Sequence, residues 1–123
     1  MEDKRGQAFV GSVDEHAQER GWFFGHFMNE PLLHSDLVEV TWQRLANRAP
    51  ADDRRHLHRR TVEINLVIAG SVELRINDVE HSLRRGDFFV IWPEAIVSDI
   101  RSDADAEMVV IRAPSVPDDK FPV

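Results

Sequence analysis

The chain has 123 residues and a mass of 14.2 kDa, enough for one compact domain with a core of its own. Hydrophobic residues make up 42% and charged residues 30%, which excludes a disordered tail and a membrane span. The formal net charge of -7 argues against a general affinity for nucleic acid or anionic lipid, and the absence of cysteine excludes disulfides, thiolate metal sites and cysteine nucleophiles. Six histidines remain as metal ligands or proton carriers.

The chain starts with the charged run Met1 to Arg5, with no continuous apolar stretch after it. No targeting segment is read there, and no apolar run approaches the ~20 residues of a membrane helix. A cytoplasmic location without a membrane partner is the expectation. Residues 1–20 are polar, and Asp14 to Arg20 reads either as a short helical turn or as disordered. Residues 21–123 read as a single domain with its core at about 36–113. The aromatic block from Gly21 to Met28 is too apolar to stay in water, so it is expected to pack on the domain or on a second subunit.

From Asp36 onward the period is two, the mark of half-buried strands. Val38, Val40 and Trp42 alternate with Glu39 and Thr41, and residues 46–53 read as a loop. Glu63 to Ala69 forms a strand that stops at Gly70. Val72, Leu74 and Ile76 alternate with Glu73 and Arg75 before a turn at Asn77-Asp78. A further turn at Arg84 to Asp87 leads into Phe88 to Trp92. Val97 to Arg101 and Glu107 to Arg112 are the last strands, followed by an extended tail containing Pro114, Pro117 and Pro122. Short strands between turns predict an all-β sandwich or barrel.

His56 and His58 share one side of an extended segment, because side chains alternate across a strand. A returning strand brings Glu63 toward them. Two imidazoles and a carboxylate around a point suit a divalent transition metal: Fe, Mn, Ni, Co or Zn. Asn65 has the parity of Glu63 and points into the same cavity, where it is a candidate substrate contact with Arg60, Trp92 and Arg112. Ile64, Leu66 and Ile68 then face outward and need a cover, either the aromatic block or a second copy, which predicts a homodimer. The run Arg54-Arg55-His56-Leu57-His58-Arg59-Arg60 also reads as a basic patch. The overall acidity sets nucleic acid aside and leaves a small anionic molecule as the ligand.

The spacing His-x-His-x4-Glu-x6-Gly, at His56, His58, Glu63 and Gly70, resembles the first motif of the cupin superfamily. The second motif, Gly-x5-Pro-x-Gly-x2-His, is only partly kept. Gly86 aligns, but Trp92 stands in place of proline, Glu94 in place of glycine and Val97 in place of the histidine that is the fourth metal ligand. The resemblance implies a small jelly-roll barrel (a double-stranded β-helix), often dimeric, with an N-terminal extension here. Three readings follow from the missing histidine: a three-ligand metal site, Asp99 as fourth ligand with Arg112 as its neighbour, or a metal-free pocket in which His56 or His58 is a general base. The expected function is a metal-dependent isomerase, epimerase or oxygenase acting on a small polar or anionic molecule, with a non-enzymatic binding module and a metal-free dehydratase or isomerase as alternatives.

Overall fold

The structure, a computed structural model, describes residues 3–46 and 55–123. Most of the loop read at 46–53 lies outside the described residues. Two antiparallel five-stranded sheets face each other. The first, in spatial order, is β1 (Trp22–Phe24), β2 (Glu39–Arg44), β9 (Glu107–Ala113), β4 (Val62–Ala69) and β7 (Phe88–Ile91). The second is β10 (Phe121–Pro122), β3 (His56–Leu57), β8 (Val97–Ser102), β5 (Ser71–Ile76) and β6 (Val79–Arg84). This is an all-β jelly roll. No helix among the described residues is long and apolar enough to cross a membrane.

The segment before β1 is short-range structure rather than coil. Ser12 caps a single helical turn, Val13–His16, by accepting from the Glu15 N–H, and a 3-10 turn follows at Glu19–Gly21. The aromatic block then enters the first sheet as an edge strand on β2. The tail likewise ends as an edge strand, β10 on β3.

The period-two reading holds on β4 and β5. Glu63, Asn65 and Val67 turn inward, as do Val72 and Leu74. On β2 the alternation is present but the polar partners take the inside: Glu39 and Thr41 are buried, and Val40 and Trp42 lie outside. The interior is therefore divided. Val67, Val72, Leu74, Phe89, Ile91, Val97, Met108 and Val110 form the apolar core. Fully burying a side chain such as Leu74 or Ile91 stabilises the barrel by about 1.5–3 kcal/mol. Toward the start of β4 the lining turns polar, and there Glu39, Arg112 and Glu63 form one cross-strand row over β2, β9 and β4.

Gly70 alone connects β4 to β5, with φ of 65°. A Cβ there would lie 2.6 Å from the Ala106 backbone nitrogen, so both the conformation and the close approach require glycine. This gives the last residue of the first motif a structural reason.

The outward face of the first sheet is a continuous apolar surface. Ile64 pairs with Val90 and Ile111, and Leu66 with Phe88 and Val109. Ile64 and Leu66 are 42% and 40% exposed. The aromatic block is not their cover, since Trp22 packs against the barrel core and under Arg112.

Candidate functional site

The site sits where the polar row of the first sheet meets β3. His56 and His58, at the end of the β3 segment, are both buried, with ring centroids 5.4 Å apart and edge to face. Glu63 enters from the start of β4. Its Oε2 lies 2.5 Å from Arg112 Nε and 3.4 Å from His58 Nε2. Burial alone would raise the Glu63 carboxyl pKa. His58 and the Arg112 charge overcome that and hold it far below the usual carboxylate range. Across β9, burial pushes the Glu39 carboxyl up, with Arg112 and His26 only partly opposing it.

His58 is anchored from behind. Its Nδ1 lies 2.5 Å from the Asp119 backbone oxygen. The carbonyl can only accept, so Nδ1 carries a proton, and Nε2 is buried with no hydrogen bond, 3.4 Å from the Glu63 carboxylate. The Asp119 carboxylate accepts from three successive backbone N–H groups, those of Arg59, Arg60 and Thr61, at 3.2, 3.0 and 3.0 Å. One tail residue thus holds both the ring and the turn that carries it. Ser115 ties the tail to the aromatic block, its Oγ 2.9 Å from the His26 backbone N–H and 2.7 Å from His26 Nδ1.

The spaces that border His58 and Glu63 are a cleft and a smaller cavity. A cleft of about 370 Å³ opens between the tail and the polar row, walled by His26, Glu39, His58, Thr61, Arg112 and Lys120. Deeper in the barrel, a cavity of about 40 Å³ is lined by His56, Glu63, Asn65 and Arg112 among apolar neighbours. The inner one has room for about one or two waters and none for a substrate. Asn65 Nδ2, buried beside it, has no hydrogen-bond partner. Arg112 and Lys120 border both spaces.

Several sequence expectations change. Asp99 does not join the histidines: it is exposed, with φ of 55°, and its carboxylate lies 3.6 Å from Arg75 Nε. The reason is a bulge, since Asp99 and Ile100 of β8 lie opposite the single Leu74 of β5 and break the parity with Val97. Arg112 accordingly partners Glu63, not Asp99. Trp92 is 67% exposed on the outer face, in step with Phe88 and Val90, and lines neither space. Arg60 is exposed as well and contributes a backbone N–H to Asp119. Val97 does point inward, opposite His56, so the position of the missing histidine is kept while its chemistry is not.

Among the described residues no three His, Asp or Glu side chains are grouped to hold a metal ion. The Glu63 oxygen nearest the histidines is engaged by a guanidinium. As arranged, these residues do not fit the transition metal that the motif implied. Asp119, Ser115, His26 and Glu39 were not singled out from the sequence. Glu39 carried a signal as the polar half of an alternating strand, and the other three lie in flanking segments that resemble those of small single-domain cupins, a likeness that assigned them no role.

The sequence profile described as cupin domain matches residues 44–112, more than half of the chain. Solved structures with the same fold include Streptomyces Pac13, described as a unique nucleoside dehydratase (TM-score 0.67, 14% identity, 95% of each chain covered). A protein from Planctomyces limnophilus matches with TM-score 0.65 and 22% identity over 94% of this chain and 97% of that one. KdgF from Halomonas sp. matches with TM-score 0.57 and 20% identity over 71% and 77%. At such identities the likeness is one of fold. No functionally curated protein matches the chain in sequence. The profile match, the kept first motif and the two-sheet barrel lead to one assignment: the chain belongs to the cupin domain family.

Proposed function

We propose that this cupin performs metal-free acid–base chemistry on a small polar or anionic molecule held in the cleft beside His58. The observation that carries the reading is His58 itself. Its Nδ1 is fixed on a backbone carbonyl, its Nε2 is buried without a hydrogen bond beside Glu63, and the residue walls the cleft. That is the geometry of a general base. Glu63, ionised and 3.4 Å away, stabilises the imidazolium formed once Nε2 has taken a proton. Arg112 and Lys120 supply positive charge for a carboxylate or phosphate, and Glu39, whose carboxyl is pushed up by burial, is a candidate proton donor on the far wall. Proton abstraction beside a carbonyl serves either an isomerisation or the loss of water. In support, Streptomyces Pac13, which has the same fold, is described as a nucleoside dehydratase and is also solved with uridine.

The test uses chelator-treated protein in D₂O with a panel of sugar acids and oxidised uridine derivatives, followed by proton NMR. The expected result is exchange or elimination at a carbon next to a carbonyl, lost in His58→Gln. Saturable uridine binding with no turnover of any panel member would favour a binding module. Turnover that appears only with added Fe, Mn, Ni, Co or Zn would favour the metal-dependent reading.

We infer further that a second copy of the chain covers the apolar face of the first sheet, making a homodimer. The support is the surface of Ile64, Leu66, Phe88 and Val90, which nothing among the described residues covers.

A further inference from the structure

Ser115 is buried, and its hydroxyl stands where the tail meets the aromatic block. The His26 backbone N–H lies 2.9 Å from Oγ, and His26 Nδ1 lies 2.7 Å from it. The Glu39 carboxyl is held there too: hydrogen bonds to Ser115 and to the Val116 backbone partly oppose the burial that pushes it up. A hydroxyl has one proton to give and two lone pairs to offer. The backbone N–H can only donate, so it takes one lone pair. One proton and one lone pair are left for the imidazole and the carboxyl, which must therefore play opposite parts. When Glu39 is ionised it accepts from the hydroxyl, and Nδ1 carries a proton and donates. When the hydroxyl turns to a bare Nδ1, Glu39 carries the proton.

We propose that His26, Ser115 and Glu39 form one proton relay, in which the Ser115 hydroxyl is the positioning group and His26 is the port that reloads Glu39. A proton taken up from water at His26 Nε2 makes the ring an imidazolium. The Nδ1 proton then passes to Ser115 Oγ as the Oγ proton passes to the Glu39 carboxylate. Imidazolium and carboxylate become a neutral imidazole protonated at Nε2 and a carboxylic acid, and the hydroxyl is restored, now turned toward Nδ1. His26 is half-buried and walls the cleft together with Glu39. Along that cleft the pair is accompanied by Arg112, Lys120 and His58 and by Asp118 and Asp119, and Glu19 and Arg20 border a second hollow that Glu39 also lines. Of these, Arg112 acts on Glu39 by favouring its ionised form. The relay rests on the reading of Glu39 as the proton donor. Glu39 is itself buried, so once it has given its proton to a substrate it regains one through the hydroxyl and not directly from bulk water.

The test reads both ends of the relay by NMR in the full chain, with isotope-labelled histidine rings and glutamate carboxyls, as pH is lowered from 9 to 4. The ring nitrogen shifts report which nitrogen carries the proton. In wild type the His26 proton is expected to move from Nδ1 to Nε2 in the same step in which Glu39 is protonated, with one shared midpoint. In Ser115→Ala the two groups are expected to titrate separately, with midpoints about one pH unit or more apart. Ser115→Thr, which keeps the hydroxyl, is expected to restore the shared step. Separate midpoints in wild type, or a shared step that persists in Ser115→Ala, would overturn the relay. If Ser115→Ala does not fold, the wild-type ring decides: a neutral His26 with its proton on Nε2 while Glu39 is ionised overturns the relay. None of this requires turnover. A shared step in a chain that turns over no substrate would sink the acid–base reading and keep the relay. Separate titration beside turnover that His58→Gln abolishes would sink the relay and keep the acid–base reading.

Discussion

Arg112 and Glu63 lie opposite each other in the β4–β9 register, and the guanidinium Nε donates to the carboxylate Oε2 at 2.5 Å. The pair spans 49 positions of sequence. It sets the electrostatics of the barrel's polar end: Arg112, with His58, holds the Glu63 carboxyl down and partly offsets the burial that pushes Glu39 up.

Glu63→Gln is expected to cost roughly 2–3 kcal/mol, since it leaves a largely buried arginine without its charge partner. The sign with pH follows from the lowered carboxyl. A group held below its unfolded value of 4.5 contributes stability that is complete above that value and is lost only as pH falls through the lower, folded one. Thermal melts should therefore show the gap between wild type and Glu63→Gln undiminished at pH 5 and closing only in strong acid. A gap that closes near pH 6 would contradict this assignment.

Glu39 has the opposite sign. Its carboxyl is raised by burial, so its favourable contribution is complete below the unfolded value and is lost as pH rises through the raised one. Glu39→Gln removes that loss. The variant is expected to melt above wild type at pH 7 and level with it in acid. Equal melting temperatures from pH 4 to 8 would show that the group is not strained by burial.

Asp119→Ala removes the acceptor of three backbone N–H groups and is expected to cost about 2–4 kcal/mol in a denaturant titration. Asp119→Asn retains one oxygen acceptor and is expected to cost about half as much. The His58 ring resonances, read by NMR, should broaden in both. Sharp, unshifted resonances in Asp119→Ala would mean that the carbonyl alone holds the ring.

Backbone conformation gives a paired prediction. Glu94 has φ of 76°, at the position where the second motif has glycine. Glu94→Gly should stabilise the chain by about 0.5–1 kcal/mol, because the left-handed conformation costs a side chain and not glycine. Gly70→Ala, forced against the Ala106 backbone, should destabilise it by about 2 kcal/mol or more. Denaturant midpoints measure both.

The dimer is tested on the outer face. Light scattering at micromolar concentration should give twice the chain mass for wild type and the single mass for Leu66→Glu, with circular dichroism unchanged. A monomeric wild type removes the second copy as the cover of that face.

What was legible in the sequence was local. Alternation placed Glu63, Asn65 and Val67 on one side of β4, and the single-residue turn at Gly70 was visible as the end of a motif. Asp99 failed because parity assumes an unbroken strand, and a bulge in β8 reversed it. Trp92 failed because an apolar strand with two apolar faces does not say which faces the core. The Arg112–Glu63 pair and the Asp119 anchor lay beyond reach for another reason. Each depends on which distant strand or tail lies alongside, a matter of topology that spacing within one segment does not encode.

The Asp119 carbonyl reaches a ring sixty-one positions earlier in the chain. During synthesis, therefore, β3 to β9 can pair and bury their apolar core before the His58 ring is oriented. A barrel at that stage would have its stability but not the arrangement proposed for catalysis. That arrangement should be acquired in the last step of folding and lost in the first step of unfolding, when the tail lifts from β3 while both sheets remain whole.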